Sequence, residues 1–228
     1  MQIGRPSRTA LAAAAHRAAH QLLDHRRILH DDLALQILGQ SAQAVAADAL
    51  AHPDRRAMRL SIAARSRFAE DALADAVARG VGQLVVLGAG LDTFAYRNPH
   101  PGLRVFEVDH PATQARKRER LAAAGIAIPP SLAFAAVDFE RVDLAEGLAA
   151  AGFDAGAPAF FSWLGVVVYL SEDAVFETLG FIASRPAGSE VVFSYSDRPG
   201  SMPPAQARAY AARAARVAAM GEPWRTQF

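Results

Sequence analysis

Five short apolar runs punctuate the chain from Gln83 onward, at residues 83–88, 104–109, 132–137, 159–163 and 190–195. The first closes on Gly88, the second on Asp109, and the third is followed by Asp138. Between them lie stretches of helical composition at roughly 112–124, 144–151 and 172–184. Strands that are apolar on both faces and alternate with helices predict a parallel sheet covered on both sides. Asp143, with Glu146 three residues later, has the pattern of a capping box, and Gly152 closes that helix.

Residues 1–80 read differently. Ser7 is placed to cap a helix running to about Arg26, and Asp31 or Asp32 to start a short one ending at Gly39. Pro53 opens another stretch, and a long helix is predicted over 55–79 with Gly80 at its end. In that helix Ile62, Ala69, Leu73 and Ala76 form one apolar stripe. Arg65 falls on the stripe, where an unpaired charge is costly, so it either snorkels outward or meets an anion inside. The expected organisation is a helical cap over 1–80 and a cofactor-binding core over 81–228.

Composition narrows the chemistry. The 228 residues carry a formal net charge of +1, so no strong field calls for nucleic acid or an anionic membrane. Cysteine is absent, which excludes disulfides, thiolate metal sites and cysteine nucleophiles. Arg5 and Arg8 before an alanine run mimic a signal peptide, but His16, Arg17, His20 and Asp24 interrupt it. The longest apolar run, 159–170, is broken by Ser162 and Gly165 and is too short to span a bilayer. These features predict a soluble, cytoplasmic protein.

The chemistry concentrates at strand ends. Gly88-Ala89-Gly90 directly follows the first strand, and two glycines at such a turn let backbone approach a ligand closely. The same pattern also serves helix–sheet packing. Thr93 stands where a dinucleotide fingerprint has its third glycine, which argues against a nicotinamide-dependent oxidoreductase. Asp109 ends the second strand nineteen residues past Gly90, where a carboxylate accepts hydrogen bonds from a ribose or, alternatively, caps the next helix. Asp138 and the N–H of Phe139, after the third strand, either read an adenine edge or form a plain turn.

At this point the sequence resembles a known family. Residues 83–97 (QLVVLGAGLDTFAYR) resemble the signature of S-adenosylmethionine-dependent methyltransferases of the leucine carboxyl methyltransferase-like family. Residues 106–114 (FEVDHPATQ), 137–139 (VDF) and 163–170 (WLGVVVYL) resemble its next three blocks, and 7–10 (SRTA) and 221–224 (GEPW) its flanking landmarks. The resemblance implies a Rossmann-like class I methyltransferase fold with strand order 3-2-1-4-5 and an N-terminal helical cap. It implies S-adenosyl-L-methionine as cofactor. Arg65 then matches the arginine that holds the cofactor carboxylate, Gly88 and Gly90 the glycine turn, Asp109 the ribose acid, and Asp138 with Phe139 the adenine-side pair.

Two departures stand out. Leu164 occupies a position where many members carry an acid, leaving Trp163 as either an aromatic wall or plain core. Members also continue past the 221–224 segment with two more strands. The expectation is therefore a five-stranded sheet whose fifth strand is an edge, covered by the 205–220 helix or by a second subunit in a homodimer. The implied function is O-methyl transfer to a carboxylate or hydroxyl of a small molecule or peptide, without metal. A truncated, non-catalytic cofactor-binding relative is the alternative. No catalytic base is identified; Tyr169 and Tyr195 lie near strand ends. His16, His20 and Asp24 share one helical face that reads as solvated or capping rather than metal-binding, and 116–120 (RKRER) reads as a solvated charged face.

Overall fold

The computed structural model describes residues 7–141 and 143–228; residues 1–6, Arg5 among them, lie outside the described residues. Its frame is a five-stranded, wholly parallel sheet in the order β3-β2-β1-β4-β5. The strands are β1 (Gln83–Leu87), β2 (Arg104–Asp109), β3 (Leu132–Ala136), β4 (Phe160–Trp163) and β5 (Glu190–Phe193). The register places Leu84 beside Val105 and Phe160, and Val86 beside Glu107 and Ser162.

Because successive side chains leave a strand on opposite faces, each strand feeds two cores. Val85, Phe106, Phe161 and Trp163 enter one, covered by α6 (Leu144–Ala150) and α7 (Glu172–Ala183) through Leu148, Val175 and Ile182. Asp143 caps α6 by accepting the Ala145 N–H at 2.7 Å. Trp163 is fully buried there, so it is core and not a ligand wall. Leu84, Val86, Val105 and Phe160 enter the other core, against Leu73 and Ala76 of α4 (Arg56–Ala78).

That second contact amends the expected division at residue 80, because α4 is a layer of the sheet sandwich. The reason lies in the β1–β2 connection. The glycine turn opens no α-helix, only a single 3-10 turn at Phe94–Tyr96, and α4 covers the face left bare. The remaining N-terminal helices are α1 (Arg8–Leu23), α2 (Ala34–Leu38) and α3 (Ala42–Ala51). Their alanine-rich faces pack with Leu91 and with Leu121 of α5 (Pro111–Ala123).

Local chemistry sets the ends of these helices. The Ser7 hydroxyl accepts the Ala10 N–H at 3.0 Å and caps α1. The helix stops at Leu23, short of Arg26, because His25 and Arg26 adopt φ of 52° and 58°. Asp31 does not cap α2; it is fully buried against Arg17. Helix α3, unforeseen in the sequence, is capped by Ser41.

Two further expectations are corrected. Helix α8 (Pro204–Ala219) buries only Val217 and leaves Phe193 and Tyr195 beside the β5 edge exposed. The 116–120 run is not uniformly solvated, since Lys117 is 1% exposed and pairs with Glu107 of β2 at 2.7 Å. Among the described residues no helix is long and apolar enough to cross a membrane.

Candidate functional site

The C-terminal ends of the strands form a rim, where parallel α/β sheets take their ligands. Gly88 and Ala89 both donate to the Val108 carbonyl, at 2.8 and 3.0 Å, which folds the turn back onto β2. Gly88 (φ +68°) and Gly90 (φ +49°) occupy the left-handed region that favours glycine. Both also lack room for a side chain. A Cβ on Gly88 would lie 2.3 Å from Val166 Cγ2, and one on Gly90 would lie 3.0 Å from the Ala10 methyl.

Asp109 closes the turn from β2. Its Oδ2 accepts the Gly90 N–H at 2.6 Å, and its Oδ1 accepts the His110 N–H at 2.7 Å. Each oxygen keeps a lone pair for a further donor. Burial raises the carboxyl above its ordinary range, against the two N–H bonds that pull it down. His110 also caps α5 through Nδ1, which accepts the Ala112 N–H at 3.1 Å. Its Nε2 lies 4.0 Å from Asp138 Oδ2. Sequence reasoning missed His110, although its place before Pro111 marks it as a helix cap.

Asp138 is half-buried, and its Oδ1 accepts the Glu140 N–H at 3.2 Å in a local turn. Phe139 packs partly buried against the core under α6 and α7. Leu164 lines a cavity of about 20 Å³ between α4 and the sheet, together with Ser162, Glu70 and Asp92. That cavity has room for about one water molecule. Val166 and Ala10 pack on the turn from the side to which a Cβ of Gly88 or Gly90 would project.

Arg65 points inward. Its guanidinium lies against Gly165, where a Cβ would sit 2.6 to 2.9 Å from its terminal atoms. Gly165 (φ +72°) follows β4, and its N–H donates to Ser194 Oγ at 2.7 Å. Arg65 Nε is buried without a hydrogen-bond partner, and among the described residues the side chain forms no ion pair. Burial lowers its pKa, and the neighbouring Arg17 adds to that. Glu70 is held by Arg97, Asp31 by Arg17, and Asp92 accepts the Phe94 N–H at 2.8 Å. Arg17 also donates to the Leu91 carbonyl and braces the glycine turn from α1.

On the helical face of His16, His20 and Asp24, the latter two are engaged internally. His20 Nε2 accepts the Leu29 N–H at 3.3 Å, so its Nδ1 carries the proton donated to Asp24, which Arg59 also holds at 2.7 Å.

Residues 10–183 match the family model for leucine carboxyl methyltransferase. The chain belongs to this family. A protein of Bacillus subtilis (strain 168) with the name "Putative S-adenosyl-L-methionine-dependent methyltransferase YktD" is 40% identical over 137 residues, 59% of this chain and 45% of that protein. A protein of Mycobacteroides abscessus with the same general name is 36% identical over 202 residues, 85% of this chain and 66% of that protein. This chain therefore spans about half to two thirds of the length of these relatives. A crystal structure of a methyltransferase so named from Thermobifida fusca superposes with a TM-score of 0.58 over 99% of this chain and 78% of its own, at 19% identity. That likeness carries the fold, a class I methyltransferase sheet, and nothing finer.

Proposed function

We propose that this member of the leucine carboxyl methyltransferase family binds S-adenosyl-L-methionine and transfers its methyl group to an oxygen of a small molecule or peptide. The observation that carries the reading is Arg65: a half-buried cation whose Nε is buried and unpartnered, set against Gly165 on the rim that also holds Gly88, Gly90 and Asp109. A free α-carboxylate supplies the anion that Arg65 lacks. The two remaining lone pairs of Asp109 suit the vicinal hydroxyls of a ribose. Gly88 and Gly90 give backbone access, and Asp138 with Phe139 flank the adenine side.

When bound, the cofactor supplies an electrophilic methyl carbon on a sulfonium, so the transfer needs no metal. The chain's part is to orient, to neutralise the carboxylate, and to exclude water. A carboxylate acceptor is already nucleophilic. A hydroxyl acceptor needs a base, and the reading assigns none; Tyr195 is 57% exposed. A formal charge of +1 favours a small acceptor over nucleic acid or a membrane.

Isothermal titration with S-adenosylhomocysteine tests the reading, with a parallel thermal-shift comparison against NAD. Binding to the folded state raises the melting temperature, and the rise is expected with the homocysteine ligand alone. A rise with NAD alone would overturn the proposal. Binding without turnover on carboxylate and hydroxyl acceptors would favour the non-catalytic relative.

A further inference from the structure

Two side chains, Val166 and Ala10, pack directly on the glycine turn and would act as stoppers to it, and one short segment fastens the elements that carry both. Ala10 belongs to the first turn of α1, and Val166 leads into the 3-10 turn at Val167–Tyr169. Residues 221–228 run across both. Glu222 is buried and grips α1. Its Oε1 accepts the Arg8 N–H at 2.6 Å, and its Oε2 accepts the Thr9 N–H and the Ser7 hydroxyl, each at 3.2 Å, with the Thr9 hydroxyl as well. A carboxylate placed on these free N–H groups also meets the positive end of the helix. Elsewhere at the α1 start, Ser7 N–H reaches Thr113 Oγ1 at 3.4 Å.

Three residues on, the Arg225 N–H donates to the Val168 carbonyl at 2.7 Å, and the buried Thr226 hydroxyl donates to the Leu170 carbonyl. Phe228 then exchanges backbone hydrogen bonds with Ser196 and Arg198, at 3.1 and 3.0 Å. Pro223 and Arg225 lie on the surface between the buried pegs Glu222 and Thr226. The segment is therefore a surface strap with one peg in each stopper's element.

We propose that residues 221–228 couple the two stoppers, with Glu222 as the latch, so that the glycine turn opens to a ligand only when the strap releases both elements together. That this ligand carries an adenosyl group rests on the reading above; the coupling itself does not.

Amide hydrogen exchange on the full chain tests the coupling, with Glu222→Gln as the primary variant and Thr9→Val as a milder one. Losing charge-assisted bonds to Glu222 is expected to speed exchange about tenfold at Arg8–Ala10, at Arg225–Thr226 and at Gly90. Amides of β1 and β2 should keep their protection, which shows that the fold persists. Should Glu222→Gln lose that protection, Thr9→Val decides by the same pattern at smaller amplitude. The association rate of S-adenosylhomocysteine on the variant should rise with the opening rate. Acceleration at Arg8–Ala10 alone, with Arg225–Thr226 unchanged, would overturn the coupling. So would joint acceleration with no change in the association rate of a ligand that binds. Failure of the unaltered protein to bind S-adenosylhomocysteine would defeat the proposed cofactor, and the exchange pattern would still judge the strap.

Discussion

Arg65 and Gly165 are in direct contact, with the guanidinium lying where any side chain at 165 would begin. The missing Cβ is what lets a half-buried cation reach the rim. Arg65→Ala is expected to weaken S-adenosylhomocysteine binding ~10- to 100-fold, the scale of a lost charge-assisted hydrogen bond. Gly165→Ala keeps the charge but pushes it aside and strains a φ of +72°. It should weaken binding in the same direction, and the double variant should be no weaker than Arg65→Ala alone. Additive losses in titration calorimetry would show that the two residues act separately.

Asp109 serves the turn as well as a ligand, and the two roles separate by experiment. Asp109→Ala orphans the N–H groups of Gly90 and His110. That should cost roughly 1–3 kcal/mol of stability with no ligand present. If the carboxylate also grips a ribose, affinity for S-adenosylhomocysteine should fall ~10- to 100-fold in addition. A lower melting temperature with unchanged affinity would leave Asp109 as a turn clamp only.

The legible parts of this chain are those fixed by near neighbours or by period. The parallel sheet follows from the alternation of apolar runs and helices, and its strand order from the family resemblance. The place of Arg65 on the stripe of Ile62, Ala69 and Leu73 marks it as unusual but leaves it two directions, and only the contact with Gly165 chooses the inward one. Helix α3 is hard to see because its alanine-rich sequence carries only one buried residue, Val45, and little periodic signal. The contacts of Glu222 with Ser7, Arg8 and Thr9 span more than two hundred residues, and no local pattern encodes them. The burial of Lys117 is hidden for a related reason. It stands in a run of charges, and only the packing of α5 on β2 sets it over Glu107.

That buried pair makes a stability prediction with a pH signature. Burial pushes the Glu107 carboxyl up to about 7, against the ammonium of Lys117, which pulls it down. Lys117→Met removes the opposing charge and should cost roughly 3–5 kcal/mol where Glu107 is ionised. An acid with a raised folded pKa is favoured protonated, so its penalty is absent at low pH and grows as pH rises through the folded pKa. The loss should therefore be larger in alkaline than in mildly acidic buffer. Adding Glu107→Gln should recover much of it. Equal losses at both pH values in urea titrations would show that the charge is not the cause.

His16 provides a titration of the opposite kind. Burial lowers its pKa from 6.5 to about 4, helped by the positive charges of Arg55, Arg59 and Arg213. A base whose folded pKa is depressed contributes stability that is present above the unfolded pKa. That contribution is lost as pH falls from about 6.5 toward 4, because the unfolded chain takes up the proton first. The imidazole is half-buried, so solvent screening trims the effect to roughly 1–2 kcal/mol. Glu107 titrates in the same window with the opposite sign, so the difference between the unaltered protein and His16→Gln is the useful quantity. The stability of the unaltered protein relative to the variant should rise as pH rises from about 4 to 6.5 and level off above that. Parallel melting curves across that window would show that His16 titrates alike in the folded and unfolded chain.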